Sequence, residues 1–289
     1  MMDQEKMNIQ WYPGHMTKTR RQIEADLKQV DAVCEIVDAR IPMSSRNPDV
    51  DSICGDKPRI MILNRMDLAD PVATKRWAEY FKKKGIAAVS TDCKGRRGIG
   101  DFQPAVRSVL KEKIERNAAR GMNRPVRVMI VGIPNVGKST LINQISGRKG
   151  AKAENRPGVT RGKQWVTVDS SLLLLDTPGI LWPKFEDPEV GMMLAYTGAV
   201  KDGILDIEEL ACRLMSLLWQ RYPQSLKDRY GIDMSQDATG YELLEAAGRK
   251  RGFLVSGGEI NTERMAKVLV DEFRGGKLGK FTLEEPPEV

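Results

Sequence analysis

The chain of 289 residues has one histidine, His15, and four cysteines. Cys34, Cys54, Cys93 and Cys212 stand far apart, so they form neither a metal-ligand spacing nor a disulfide framework. That usage suits a reducing cytoplasm, and a zinc site is not expected. Also missing is any apolar run near the roughly 20 residues that cross a bilayer, so no membrane partner is expected. The longest candidate, Leu172 to Leu175, has the length of a buried strand. No basic-then-apolar opening precedes Trp11, and no secretory or transit signal is expected. There is no internal repeat and no low-complexity segment. What remains, 41% hydrophobic and 29% charged residues, is the composition of a soluble globular protein large enough for two domains.

Charge is unevenly spread. The net +7 divides into 33 basic against 21 acidic residues over positions 1–186, and 13 against 18 over positions 187–289. The stretch from Lys94 to Arg127 alone holds 10 basic and 3 acidic residues. Together with Lys18, Arg20, Arg21 and Lys28, it points to a polyanion partner, with nucleic-acid phosphates the natural target. A solvated helix face is the alternative reading of such a stretch.

Short apolar runs alternate with helical periodicity through the first two thirds of the chain. Strands are predicted at Val33 to Val37, Ile60 to Leu63, Ile86 to Val89, Val126 to Val131, Gln164 to Val168 and Leu172 to Leu175. Helices are predicted from Met16 to Val30, Pro71 to Lys84, Gly100 to Ala119 and Lys138 to Ile145. This alternation implies an α/β fold with a doubly wound, mostly parallel sheet. Ligands of such sheets bind at the carboxyl ends of the strands. Beyond Trp182-Pro183-Lys184-Phe185 the apolar spacing is helical throughout: Ile207, Leu210, Ala211, Leu214, Leu217, Leu218, then Tyr241, Leu243, Leu244, Ala247, then Met265, Val268, Leu269, Phe273. The expected division is an α/β domain over residues 1–185 and a small all-helical domain over 186–289. The tail after Gly279, with Pro286-Pro287, is expected to fray.

Three motifs carry chemistry. Gly132-Ile133-Pro134-Asn135-Val136-Gly137-Lys138-Ser139 has the spacing of a phosphate-gripping loop between a strand and a helix. Its glycines let backbone N–H groups turn toward phosphates, and the helix presents its positive end. Lys138 is expected to reach the β- and γ-phosphates and Ser139 to ligate Mg²⁺, with Asn135, Val136, Gly137 and Thr140 completing the cradle. Asp176-Thr177-Pro178-Gly179 follows an apolar strand. The Asp176 carboxylate suits Mg²⁺, and the Gly179 N–H suits the γ-phosphate. Thr160, between these motifs, is placed to complete the metal shell. Asn64-Arg65-Met66-Asp67 explains base choice, because a carboxylate accepts from the guanine N1–H and N2–H₂ edge, which adenine lacks. Arg65 stands where such elements usually carry Lys. Thr91-Asp92-Cys93-Lys94 is the supporting loop, with the Cys93 N–H expected to meet guanine O6.

The order of these parts is the most informative feature. The guanine-reading element precedes the phosphate loop, whereas in an ordinary GTPase it follows. With that order, the opening Trp11-Tyr12-Pro13-Gly14-His15-Met16, the strand end Asp38-Ala39-Arg40-Ile41-Pro42 and the tail Gly275-Gly276-Lys277-Leu278-Gly279, the chain resembles the YlqF/RbgA branch of circularly permuted GTPases over nearly its whole length. The resemblance implies GTP hydrolysis to GDP on an immature large (50S) ribosomal subunit, stimulation by that particle, and a helical domain that docks on rRNA. Members of that family work in bacteria and in mitochondria, and the missing targeting segment favours a cytoplasmic bacterial one; a monomer is the default.

Ile180 follows Asp176-Thr177-Pro178-Gly179 where many GTPases place a water-orienting glutamine. The resemblance makes His15 the catalytic candidate in its stead, and makes Asn135 a helper for a K⁺ ion near the phosphates. Two other readings stay open at this level: a mainly non-catalytic GTP-gated RNA-binding switch, and an ATP-using nucleotide kinase, against which Asn64 and Asp67 argue. Arg249, Lys250 and Arg251 with Arg274, Lys277 and Lys280 form a candidate local patch for RNA.

Overall fold

A computed structural model describes residues 23–147, 164–179, 187–200 and 206–288. The first compact unit comprises residues 1–190 with 282–289, and the second comprises Gly191–Phe281. The expected boundary at residue 185 lies five residues before this one, and the last eight residues belong to the first unit rather than to the helical one.

The first unit is built on a six-stranded sheet in the order β3-β2-β1-β4-β6-β5. Its strands are β1 (Ala32–Asp38), β2 (Arg59–Asn64), β3 (Ala87–Thr91), β4 (Val126–Gly132), β5 (Gln164–Asp169) and β6 (Leu172–Asp176). All neighbouring pairs are parallel except β5 with β6, whose antiparallel edge follows from a two-residue turn. Every residue of β1 is buried between β2 and β4, and such a strand reads as a continuous apolar run. Its one charge, Glu35, is held by Arg46 and Arg59 at 3.0 Å each.

Helix α1 (Asp49–Cys54) is one and a half turns, too short to show a period in the sequence. Helix α2 (Pro71–Lys83) starts on an Asp70 side chain that accepts from the Val72 and Ala73 N–H groups, with Pro71 at the first position. It stops at Lys84, followed by Gly85 with φ +75°. Its Trp77 and Phe81 pack on Val37, Met61 and Leu63, and truncating such an aromatic costs about 3–5 kcal/mol. The single helix expected from Gly100 to Ala119 is two, α3 (Phe102–Val109) and α4 (Lys111–Ala119). Leu110 is the last buried side chain of that stretch and none follows it in α4, so the backbone turns where the apolar spacing ends. Helix α5 (Lys138–Ser146) follows β4 directly after the phosphate loop.

The expectation of a frayed tail is corrected. Thr282 and Leu283 are 1% exposed. The Leu283 N–H donates to Arg40 O at 2.7 Å, and the Glu284 carboxylate accepts from Met43 N at 2.7 Å and Ser44 N at 3.0 Å. Trp77 Nε1 donates to Glu284 O at 3.1 Å. Fraying was inferred from composition, but three residues that satisfy buried polar groups suffice to hold a tail.

Helix α6 (Pro188–Tyr196) runs across the boundary between units. The second unit is then helical: α7 (Ile207–Arg221), α8 (Pro223–Tyr230), α9 (Gly240–Lys250) and α10 (Thr262–Arg274). Asp206, Thr239 and Asn261 cap three of them, Thr239 in a reciprocal capping box with Glu242. A Cβ on Gly240 would lie 1.9 Å from Cys212 O, so only glycine allows α9 to cross α7 this closely. Tyr241, expected on the apolar face, is 56% exposed. Glu272 is buried and receives Arg229, Tyr230 and Arg251. No helix among the described residues is long and apolar enough to cross a membrane.

Candidate nucleotide site

Parallel pairing puts the carboxyl ends of five strands along one edge of the sheet. Asp38 of β1 registers with Asn64 of β2, Asn64 with Thr91 of β3, and Ile130 of β4 with Asp176 of β6. Residues far apart in the chain, and in permuted order, are thereby neighbours.

Asn64 joins the guanine-reading element to the phosphate loop. Its Nδ2 donates to Val136 O at 2.7 Å, and its Oδ1 accepts from Thr91 Oγ1 and from Cys93 N at 3.2 Å each. The side chain is 3% exposed, so these three bonds are shielded from water. Gly137 has φ +104°, and a Cβ there would lie 2.3 Å from Asn64 Nδ2. Both conformation and space require glycine at that point. Cys93 N, the group expected to meet guanine O6, donates to Asn64 Oδ1 in the ligand-free chain. Burial pushes the Cys93 thiol up to about 11, so it is a neutral packing group and not a nucleophile.

Arg65 and Asn135 are two of the three non-glycine residues with positive φ among those described, both at +62°. They meet: Arg65 Nη2 donates to Asn135 O at 2.7 Å, and Arg65 Nη1 lies 3.5 Å from Asp38 Oδ2. A forked guanidinium reaches two partners in different directions, a placement that one ammonium cannot copy. Met66 N donates to Thr91 O, so the element is also tied to the loop after β3. The Asp67 carboxylate is half-buried and makes no hydrogen bond or ion pair with the other described residues. The Asp92 carboxylate accepts from Gly95 N at 2.7 Å and from Arg97, shaping its own loop. Burial acts to raise the Asp92 pKa, but those bonds outweigh it and hold the group below the usual range.

On the phosphate side, Lys138 Nζ is ion-paired with Asp176, and both are nearly inaccessible. Ser139 and Thr140 follow at the start of α5, half-buried. A hydroxyl with a carboxylate, free of nitrogen and sulfur, is a donor set suited to a hard divalent cation. No three His, Cys, Asp or Glu side chains converge on a metal position among the described residues. Gly179 lies against the phosphate loop: a Cβ on it would be 3.0 Å from Pro134 Cα.

One layer of support carried no role in the sequence reading. The Asp38 carboxylate accepts from Arg40 Nε at 2.9 Å, Arg40 Nη2 at 2.8 Å and Arg40 N at 3.0 Å, and its own N–H donates to Ser45 Oγ. Burial works to raise the Asp38 pKa, but Arg40, with Arg65 behind it, outweighs that and holds the carboxyl below its usual range. Thr177 Oγ1 donates to Ile130 O and fixes the start of the loop after β6. In the sequence Asp38 and Arg40 stand out only as a strand end that resembles the family's, with no role attached to either side chain. His15, Thr160 and Ile180 lie outside the described residues.

Comparison with known proteins agrees with this geometry. The family model described as "50S ribosome-binding GTPase" matches residues 127–228. The Ribosome biogenesis GTPase A of Priestia megaterium is 48% identical over 98% of this chain and 99% of its own. That of Bacillus cereus is 48% identical over 98% and 95%. The crystal structure of GNP-bound YlqF from T. maritima superposes with a TM-score of 0.63 at 29% identity, over 94% of this chain and all of that one. Identities of this size over almost the full length, on a sheet whose strand ends assemble the permuted motifs, make the chain a member of the ribosome biogenesis GTPase A (YlqF/RbgA) family.

Proposed function

We propose that this protein hydrolyses GTP to GDP and phosphate on the immature large ribosomal subunit and that the particle stimulates the reaction. The observation that carries the GTP reading is the Asn64 bridge to Val136 O, which locks a guanine-selective element onto a phosphate loop. An ATP-using kinase has no use for that bridge beside an uncommitted Asp67 carboxylate.

Each residue then has a task. Asp67 accepts from the guanine edge. Lys138 leaves Asp176 for the β- and γ-phosphates, and Asp176 with Ser139 would hold Mg²⁺, Thr160 completing the shell. The ion would neutralise developing phosphate charge. Gly179, seated against Pro134, senses the γ-phosphate. His15 orients the attacking water, and Asn135 helps hold K⁺ beside the phosphates. The protein acts as a cytoplasmic monomer.

For RNA, the first surface is α4, none of whose residues is buried, with Lys94, Arg96 and Arg107 exposed beside it in sequence. In the helical unit, Arg274 is committed to Ala195 O and Tyr196 O and Arg251 to Glu272. The patch there reduces to Arg249, Lys250, Lys277 and Lys280, all exposed.

The test is GTP turnover in K⁺ buffer, alone, with purified large subunits, and with small subunits as control. Stimulation by large subunits only is expected. Tight GTP binding with no stimulation would replace this reading by a non-catalytic GTP-gated RNA switch, which the apolar Ile180 favours.

A further inference from the structure

The last residues of the chain reach the guanine side of the site. Thr282 Oγ1 donates to Ala39 O at 3.2 Å and accepts from Asp70 N at 3.2 Å. Leu283 N holds Arg40 O, and the Glu284 carboxylate holds the Met43 and Ser44 amides. These bonds clamp the corner from Ala39 to Ser45. That same corner supplies the three groups that fix Asp38: the Arg40 side chain, the Arg40 N–H and the Ser45 hydroxyl. Ala39 N also donates to Asn64 O at 2.8 Å. Asp38 in turn stands 3.5 Å from Arg65, which lies between Asn64 and the base-reading pair Met66-Asp67.

Phe281 is buried in the helical unit, its ring 5.0 Å from Tyr222 and 5.8 Å from Phe273, while the next residue, Thr282, is buried in the GTPase unit. One peptide bond separates the two.

We propose that Thr282, Leu283 and Glu284 are positioning residues for guanine recognition, acting through the Ala39–Ser45 corner on Asp38, Arg65 and Asn64. This rests on the reading of the site as a guanine-nucleotide site. A corner released from the tail lets the base-reading element sample other placements. Affinity falls by the fraction of time the competent placement is held. The loss is larger for a base that uses the whole element.

The test uses the full chain with Glu284→Ala, and with Glu284→Gln as a milder variant should the first fold poorly. Dissociation constants are measured for GDP and for inosine diphosphate, which lacks the exocyclic amine that Asp67 reads. The expected result is a GDP affinity at least ~5-fold weaker with the GDP preference over inosine diphosphate narrowed at least ~3-fold. A general loosening of the fold scales both affinities together and leaves their ratio unchanged. Unchanged affinities, or equal losses for both nucleotides, overturn the proposal. A wild-type chain that binds neither nucleotide overturns the guanine reading itself, and the proposal with it.

Discussion

Replacing Asn64 with alanine isolates what the bridge between the two motifs contributes. The change strands Val136 O and Cys93 N, whereas Thr91 Oγ1 keeps a weak contact with Cys93 Sγ at 3.6 Å. A stranded buried backbone group costs about 1–3 kcal/mol. The neighbours Arg65, Met66 and Asp67 are only half-buried, so water can reach the space and the low end applies to each group. The expected loss of stability is about 2 kcal/mol in denaturant unfolding. The same energy aligns the base-reading element with the phosphate loop, so GDP affinity should fall about 30-fold at 1.4 kcal/mol per decade. Titration with a fluorescent GDP analogue measures it. Asn64→Asp provides the internal control. It keeps an acceptor for Cys93 N but sets a carboxylate against Val136 O, so it should bind GDP more weakly than Asn64→Ala. An Asn64→Ala protein that binds GDP within 2-fold of wild type, by the same relation at most about 0.4 kcal/mol, would refute the claim that this side chain couples the motifs.

The remaining predictions concern separate groups. Asp67→Asn turns an acceptor toward the base into a donor, so competition titrations should show the preference for xanthosine diphosphate over GDP rising at least ~10-fold. His15→Ala should retain GTP binding but lose at least ~10-fold of subunit-stimulated hydrolysis, about 1.4 kcal/mol of barrier; an unchanged rate removes His15 from the reaction. In the helical unit, hydrogen bonds from Arg229 and then Tyr230 hold the Glu272 carboxyl below its ordinary value of 4.5. A lowered pKa contributes stability that is complete above that value and is lost as the pH falls through the folded-state value. Thermal melts should therefore weaken on acidification below about pH 4.5, and Glu272→Gln should be less stable at neutral pH with a shallower acid slope.

What could be read from the sequence follows from which residues signal by chemistry and which by contact alone. Strand ends were legible because each β-run stops on a residue with a task, Asn64, Gly132 or Asp176, and parallel pairing then sets those ends side by side. The break at Leu110 was hidden because Lys111–Ala119 has strong helix formers. Only the lack of anything to bury separates α4 from α3. Tyr241 fitted the apolar spacing but sits in the first turn of α9, where one step in phase moves a side chain to the solvent. The loop type of Thr91-Asp92-Cys93-Lys94 points the Cys93 N–H to a base, and gives no sign of its partner in the ligand-free chain. That partner, Asn64 Oδ1, is 29 residues away in sequence. The Glu284 contacts are longer-range still, 240 and 241 residues from their partners.

A cut and rejoining of the chain leaves such a site intact because its geometry resides in the sheet order. The contact of Asn64 with the phosphate loop depends on β2, β1 and β4 lying side by side, and it is indifferent to which strand comes first. Connectivity decides something else: where the helical unit is attached. The chain leaves the GTPase unit downstream of Asp176 and Gly179, and it returns at Thr282 beside Ala39 and Arg40. One attachment follows the Asp176–Gly179 segment and the other adjoins the Ala39–Arg40 corner. They differ in length. About a dozen residues separate Gly179 from the start of the helical unit, whereas Phe281 and Thr282 are adjacent.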